Sequence, residues 1–424
     1  MTAVSAASAD TKAILLLTAP LSLGGRSGSI QEAKPLTPSE YRSFAAAVLA
    51  AGMRPADLLD SEGLGRLGGF EATIERDRVA ALLGRGFRLA QALDRWASRS
   101  IWVISRADER YPDRLKKRLR EAAPPVLYGC GDPALLSSGG LAVVGSRSAS
   151  DEALRFTDRV AGLAAAAGLP IISGGAKGVD RTAMCGALSR AGQAIGVLAD
   201  QLERAVLDRA FMSGIEEGRL VLISPFDPSA PFLVGHAMDR NKLVYALADA
   251  ALVACADLRK GGTWAGAEEQ LRRYRSATVY VAAGCTTRAV VDAMRAMGAV
   301  DWPEPGSPEA LRGIVVAHPA APRADAAAVP PSLFPHHGSA AQSADVVVPK
   351  ADAAPADELL DAVERAVVRV LDQPKSAAAI AKELRVTTPQ ATAWLKVLVD
   401  RGIVSAAGGR SRKYQRRSDG LFPN

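Results

Sequence analysis

The chain is poor in the residues that mark several large classes of protein. Four cysteines, Cys130, Cys185, Cys255 and Cys285, are spread singly through 424 residues. None forms a CxxC pair, so neither a zinc ribbon nor a disulfide framework is indicated, and the usage fits a reducing cytoplasm. No stretch approaches the roughly 18 consecutive apolar residues that a membrane-spanning helix needs. The apolar run from Ile14 to Leu21 is short and is followed by no small-residue cleavage site, so it does not read as a secretory signal. The expected location is the cytoplasm. The GxGxxG dinucleotide fingerprint and the GxxxxGK[ST] phosphate loop are also missing from the glycine turns, which takes weight from NAD binding and ATP hydrolysis. Neither a metal nor a cofactor is indicated.

What is present is an ordinary globular composition, with 48% hydrophobic and 23% charged residues. At roughly 100–200 residues per domain the chain should hold two to four domains. The net charge of +7 is unevenly spread: +4 over residues 1–140, +1 over 141–285, 0 over 286–302, −4 over 303–358 and +6 over 359–424. Any anion site in the nearly neutral centre must be a local arrangement of a few side chains and backbone groups.

Residues 1–138 read as a helical region and lead-in. Thr37 to Glu40 is a capping-box pattern opening an Ala/Leu-rich helix, and Arg76–Ala97 carries a helical period. A short strand over Ser100–Ile104 and a basic helix from Arg114 to Arg120 follow. From 139 to 302 short apolar strands alternate with helical segments. Strands are expected at Leu141–Val144, Pro170–Ile172, Ala194–Leu198, Leu220–Ile223, Ala250–Ala254 and Thr278–Val281, with helices such as Asp151–Ala167 and Val179–Ala191 between them. This alternation predicts an α/β fold, an extended Rossmann-like doubly wound parallel sheet. Residues 303–356, rich in Pro, Ala and Asp, read as a linker. Residues 357–417 follow as a C-terminal module, and 418–424 as a tail.

Ligands of such sheets bind beyond the C-terminal strand ends. The first strand ends in Gly145-Ser146-Arg147 before a helix, where a hydroxyl, helix N-terminal amides and a forked guanidinium suit a phosphate. The second runs into Ser173-Gly174-Gly175-Ala-Lys177-Gly-Val-Asp180, a turn whose successive amides are expected to form a nest for a further phosphate, with Lys177 adding a point charge. A glycine turn after a strand also serves as a plain tight connection, so the pairing of the two loops carries more than either alone. In Asp239-Arg240-Asn241-Lys242 the two cations are candidates for phosphate and Asn241 for a base or sugar. The competing reading there is a solvated helix start. Lys260-Gly261-Gly262-Thr263 is a candidate ligand turn in which Thr263 caps the next helix, and Trp264 is either a stacking surface or a core aromatic.

At these residues the chain resembles the DNA-processing protein A family, also called DprA or Smf. Its motifs stand here as Val144–Arg147, Ser173–Asp180, Arg240–Lys242 and Lys260–Glu269, and the lead-in from Ile104 to Tyr128 is similar too. The resemblance covers roughly residues 35–285 and the C-terminal module. It implies a non-catalytic protein that binds single-stranded DNA, dimerises, and protects that strand while helping to load a RecA-type recombinase in DNA uptake or recombination. Carried over residue by residue, the DNA-phosphate role falls on Gly145, Ser146, Arg147, Ser173, Gly174, Gly175 and Lys177, with Arg240, Asn241 and Lys242 nearby. Two departures mark a divergent branch. The family's lead into RNRIIAGLS appears as Phe232 to Asp249, and its SGSLxTA turn is replaced by Lys260 to Gly266. The second departure also resembles the PGGxGTxxE turn of phosphoribohydrolases, which implies an alternative enzyme with Glu268 or Glu269 acting on a ribosyl bond.

The C-terminal module fits a winged helix-turn-helix, with helices over Leu359–Leu371, Ser376–Leu384 and from Thr387, then a hairpin turning at Gly408-Gly409. Arg410, Arg412 and Lys413 on its wing are candidates for contacting duplex DNA. Winged helices also dock proteins, and a Rossmann body joined to such a module admits a third reading as a nucleotide-sensing transcription regulator.

Overall fold

The computed structural model describes residues 7–21 and 33–316, apart from 61, 68–69 and 71–73, and interrupted stretches between 367 and 416. The chain divides into two compact units, Met1–His336 and His337–Asn424. No helix among the described residues is long and apolar enough to cross a membrane.

The first unit opens with helices α1 (Ala9–Thr18), α2 (Pro38–Ala50), α3 (Gly63–Arg66), α4 (Arg76–Leu83) and α5 (Gly86–Ala97). The Ile14 to Leu21 run is a core segment: Ser8 caps α1, and Ile14, Leu15 and Leu16 pack with Trp96, Val103 and Tyr128. Thr37 and Glu40 form both reciprocal bonds of the capping box at the start of α2. Arg78 on α4 pairs with Glu40 at 2.7 Å, and its hydrogen bond holds the carboxyl down at about 2. The single helical period expected over Arg76–Ala97 is interrupted at Gly84 and Arg85, giving two helices.

The sheet follows as β1 (Trp102–Ser105), β2 (Val126–Cys130), β3 (Leu141–Gly145), β4 (Ile171–Ser173), β5 (Ala194–Val197), β6 (Leu220–Ser224), β7 (Ala250–Cys255), β8 (Thr278–Val281) and β9 (Val300–Asp301). Between strands lie α6 (Asp113–Leu119), α7 (Asp151–Ala166), α8 (Val179–Leu188), α9 (Leu202–Ala205), α10 (Arg209–Glu216), α11 (Val234–Leu247), α12 (Gly261–Glu269) and α13 (Arg288–Ala296). The strand order is β1-β2-β6-β5-β4-β3-β7-β8-β9. From β6 to β9 every pairing is parallel, while β1 and β2 add an antiparallel edge. The interior strands β3 to β7 are buried along their whole length, as strands covered by helices on both faces must be. The sheet therefore begins before residue 139, because Val126–Cys130 is an apolar run with no place on the surface.

Strand β3 lies between β4 and β7. The chain winds one way from β3 through β6 and the other way from β7, so the C-terminal ends of β3 and β7 flank the topological switch point. The β3–β7 register shifts between Val144 and Gly145, and the Ser146 amide then donates to the Cys255 carbonyl at 3.1 Å.

The stretch expected to be linker begins with a docked helix, α14 (Pro308–Val316). Leu311 and Val315, one turn apart, are buried in the main core, and the Arg312 guanidinium donates to the Ala167 carbonyl. Burial of two such side chains contributes on the order of 1.5–3 kcal/mol each, enough to order a short helix on the body. Residues 317–356 of the expected linker lie outside the described residues.

In the second unit, β10 (Lys375–Ser376), β12 (Lys413–Arg416) and β11 (Val404–Ala407) form an antiparallel sheet in that order beside helix α15 (Ala377–Glu383). Val367, Leu371, Ile380, Leu395, Leu398, Val404 and Tyr414 make its core. The expected hairpin turn at Gly408-Gly409, the start of the third helix at Thr387, and Arg410 and Arg412 lie outside the described residues. Lys413 begins β12.

Candidate functional site

The glycine turns after β3 and β4 lie side by side at the switch point. The Val179 amide at the start of α8 donates to the Ser146 carbonyl at 3.4 Å. Gly178, with φ +88°, sits so close that a Cβ there would lie 2.5 Å from that same oxygen. A side chain at 178 would force the loops apart.

One buried carboxylate joins them. Asp180, in the first turn of α8, is buried between the two loops, where desolvation pushes its carboxyl up while the Arg240 charge and the backbone amides of Gly145, Ala176 and Gly174 act to lower it. Its ion-pair partner is Arg240, 4.0 Å away. Both residues are buried, and desolvation pushes the Asp180 carboxyl up and the Arg240 guanidinium down while each charge holds the other. A Cβ on Gly174 would fall 1.7 Å from Arg240 Nη1 and 2.5 Å from Asp180 Oδ2, so only glycine lets the loop close over the pair.

This changes the expected roles of several residues. Ser173 is fully buried and its hydroxyl donates to the Val143 carbonyl at 2.6 Å, which removes it from the surface. Arg240 is neither exposed nor at a helix start. The helix α11 begins at Val234, and Arg240 points inward from its middle. Asn241 donates to the Gly262 carbonyl at 3.0 Å and so ties α11 to the start of α12. Lys242 lies 3.9 Å from Asp239.

Arg147 and Lys177 remain on the outside, one on each loop. Both line one shallow surface that also includes Arg181, which pairs with Asp208 at 2.8 Å. On its other side Arg147 borders a cleft of about 1100 Å³ at the switch point, whose rim carries Arg259 and Lys260. The Arg147 guanidinium carbon stands 4.6 Å from the centroid of the Phe232 ring. Ser146 Oγ accepts from the Ser148 amide at 3.2 Å, while Ser150 caps α7 and Asp151 and Glu152 occupy its first turn. The N-terminus of α7 thus carries its own acidic charges, and the cation beside it is Arg147.

The expected ligand turn also differs. Helix α12 begins at Gly261, so Thr263 lies inside it and makes no cap. Trp264 is a core residue whose Nε1 donates to Glu268 at 3.1 Å. Glu268 further pairs with Arg272 at 3.1 Å and Glu269 with Arg273 at 3.3 Å.

The family model for DNA recombination-mediator protein A matches residues 102–294, the span that contains these loops. Residues 102–294 are thus similar to that family. The DNA processing protein DprA of Streptococcus pneumoniae (strain ATCC BAA-255 / R6) is 33% identical over 142 residues, which are 33% of this chain and 49% of that protein. The chain thus matches about half the length of this family relative. The X-ray structure of DprA from Streptococcus pneumoniae superposes with a TM-score of 0.50 and 22% identity, covering 66% of this chain and 93% of that one. DprA from Helicobacter pylori, described for its unique single-stranded DNA binding mode, gives a TM-score of 0.40 and 22% identity over 51% of this chain and 94% of that one. The fold is similar to that of DprA from Streptococcus pneumoniae, and the Asp180–Arg240 pair is what sequence reading missed. Its one signal was an aspartate closing the second glycine motif.

Proposed function

We propose that this protein is a non-catalytic recombination mediator of the cytoplasm that grips the phosphates of single-stranded DNA at the ends of β3 and β4. The observation that carries the reading is the placement of Arg147 and Lys177, both exposed, on adjacent loops that the Val179 amide ties together through the Ser146 carbonyl. A pair of cations on neighbouring loops suits a repeated anion such as a sugar-phosphate backbone. Gly145, Ser146, Gly174 and Gly175 shape the loops. Arg240, Asn241 and Lys242 act from beneath, and the exposed Lys260 and Gly261 extend the rim. Delivery of the bound strand to a RecA-type recombinase, action as a homodimer in DNA uptake or recombination, and duplex contact through a winged helix bearing Arg410, Arg412 and Lys413 complete the proposal.

Binding of a single-stranded oligonucleotide, the matching duplex and free nucleoside monophosphates at several salt concentrations tests it. Single strands are expected to bind tightest, with affinity falling steeply as salt rises. Equal or tighter binding of a free nucleotide would contradict it.

A further inference from the structure

Helix α9 is only four residues long, yet it touches both the N-terminal helical region and the loop of residues 225–231. Leu202 and Val206, at its two ends, are buried in the same core as Leu89 and Trp96 of α5. Over that core Glu203 faces α5. Its carboxylate lies 3.0 Å from Arg95 Nε and 3.8 Å from Arg99 Nη1. The side chains of Glu203 and Arg95 are only 17% and 24% exposed, so water screens this pair less than it would a surface one.

The backbone of the same helix holds the loop. The Glu203 amide donates to the Pro228 carbonyl at 3.0 Å and the Gln201 amide to the Ala230 carbonyl at 2.9 Å, so the loop satisfies two amides that the start of a helix leaves without a partner. Gln201 has φ +45°, a conformation that a residue other than glycine keeps only where its surroundings hold it. From the far side, Phe226 of the loop stacks on His236 of α11 with ring centroids 3.8 Å apart. The loop then runs into Phe232, whose ring centroid is 4.6 Å from the Arg147 guanidinium carbon, and into α11, which carries Arg240. A shift of the loop therefore reaches the outer cation of the first glycine turn and the buried partner of Asp180. An unbroken line of contacts runs from α5 through Glu203 to both.

We propose that Glu203 is a positioning residue for strand binding, the link through which the helical region fixes the place of loop 225–231 and with it that of Arg147. This rests on the reading of single-stranded DNA as the ligand. A contact that moves α5 then changes strand affinity without touching the strand.

Glu203→Gln and Arg95→Met, made in the full chain, test the link by oligothymidylate binding and urea unfolding. Each is expected to weaken binding by roughly three- to thirtyfold. The double variant should bind no more weakly than the weaker single, because either change breaks the same contact. Glu40→Gln, which removes the ion pair with Arg78 inside the helical region, is the control. It should lose stability and keep the parent's affinity. Parent-like binding by both single variants would leave Glu203 a merely structural residue, and the proposal fails. It fails equally if the two losses add, or if Glu40→Gln weakens binding as much. Should Glu203→Gln not fold, Arg95→Lys keeps a charge beside the carboxylate; a smaller loss of affinity is expected from it, and no loss contradicts the proposal. A parent protein that does not bind oligothymidylate overturns the single-strand reading itself, and this proposal with it.

Discussion

Arg240 and Asp180 face each other across 4.0 Å beneath Gly174, and both are buried. A buried charge deprived of its partner costs about 3–5 kcal/mol, whereas removal of both costs much less. Asp180→Asn and Arg240→Met should each destabilise the protein by about that amount, and the double variant by clearly less than the two losses added. Urea unfolding measures this, and strict additivity would show that the pair is not coupled.

Ser173 separates a loop-holding role from a ligand-touching one. Its hydroxyl is spent on the Val143 carbonyl at 2.6 Å. Ser173→Ala should lower stability by about 1 kcal/mol and leave the salt dependence of strand binding unaltered. A flatter salt dependence in that variant would place the hydroxyl against a phosphate after all.

Glycine is required at 174 and not at 262. A Cβ at Gly174 collides with Arg240 and Asp180, while at Gly262 the nearest atom is Asn241 Nδ2 at 3.8 Å. Gly174→Ala should sharply reduce oligonucleotide affinity, and Gly262→Ala should retain it. Equal effects would mean that the closure over the buried pair is unimportant for binding.

The helical region carries a pH signature. Glu40 titrates at about 2 in the folded protein, against the ordinary 4.5 of a glutamate, chiefly through its hydrogen bond from Arg78. A lowered carboxylate contributes stability above the unfolded pKa and loses it as pH falls toward the folded one. Glu40→Gln should therefore be less stable than the parent at pH 7, by at most about 1 kcal/mol. The gap should close between pH 4.5 and 2. A gap that persists at pH 2 would assign the loss to packing instead.

Much of the sheet was legible because its strands are short apolar runs bounded by polar or glycine residues; Thr278–Val281 matches to the residue. The two glycine turns after β3 and β4 were legible for the same reason, since glycine clusters punctuate the strand ends. The start of α11 was not. Pro225, Pro228 and Pro231 break any regular pattern before it, and the exposed Phe232, Leu233 and Val234 supply no helical period. Misplacing that start put Arg240 at a helix tip instead of inside, and its partner Asp180 lies 60 residues earlier, so only the folded sheet brings them together. Docking of α14 depended likewise on a surface offered by α7, which no local pattern reveals.

The central claim is that Arg147 and Lys177 together hold consecutive phosphates of a single strand. The most direct test is the salt dependence of oligonucleotide binding by Arg147→Ala/Lys177→Ala, with circular dichroism confirming the fold. Each phosphate contact on a single strand contributes a slope of about 0.7 in log affinity against log salt. The double variant should bind much more weakly than the parent, with a slope smaller by about 1.4. Parent-like affinity and slope in a folded double variant would contradict the assignment of the site.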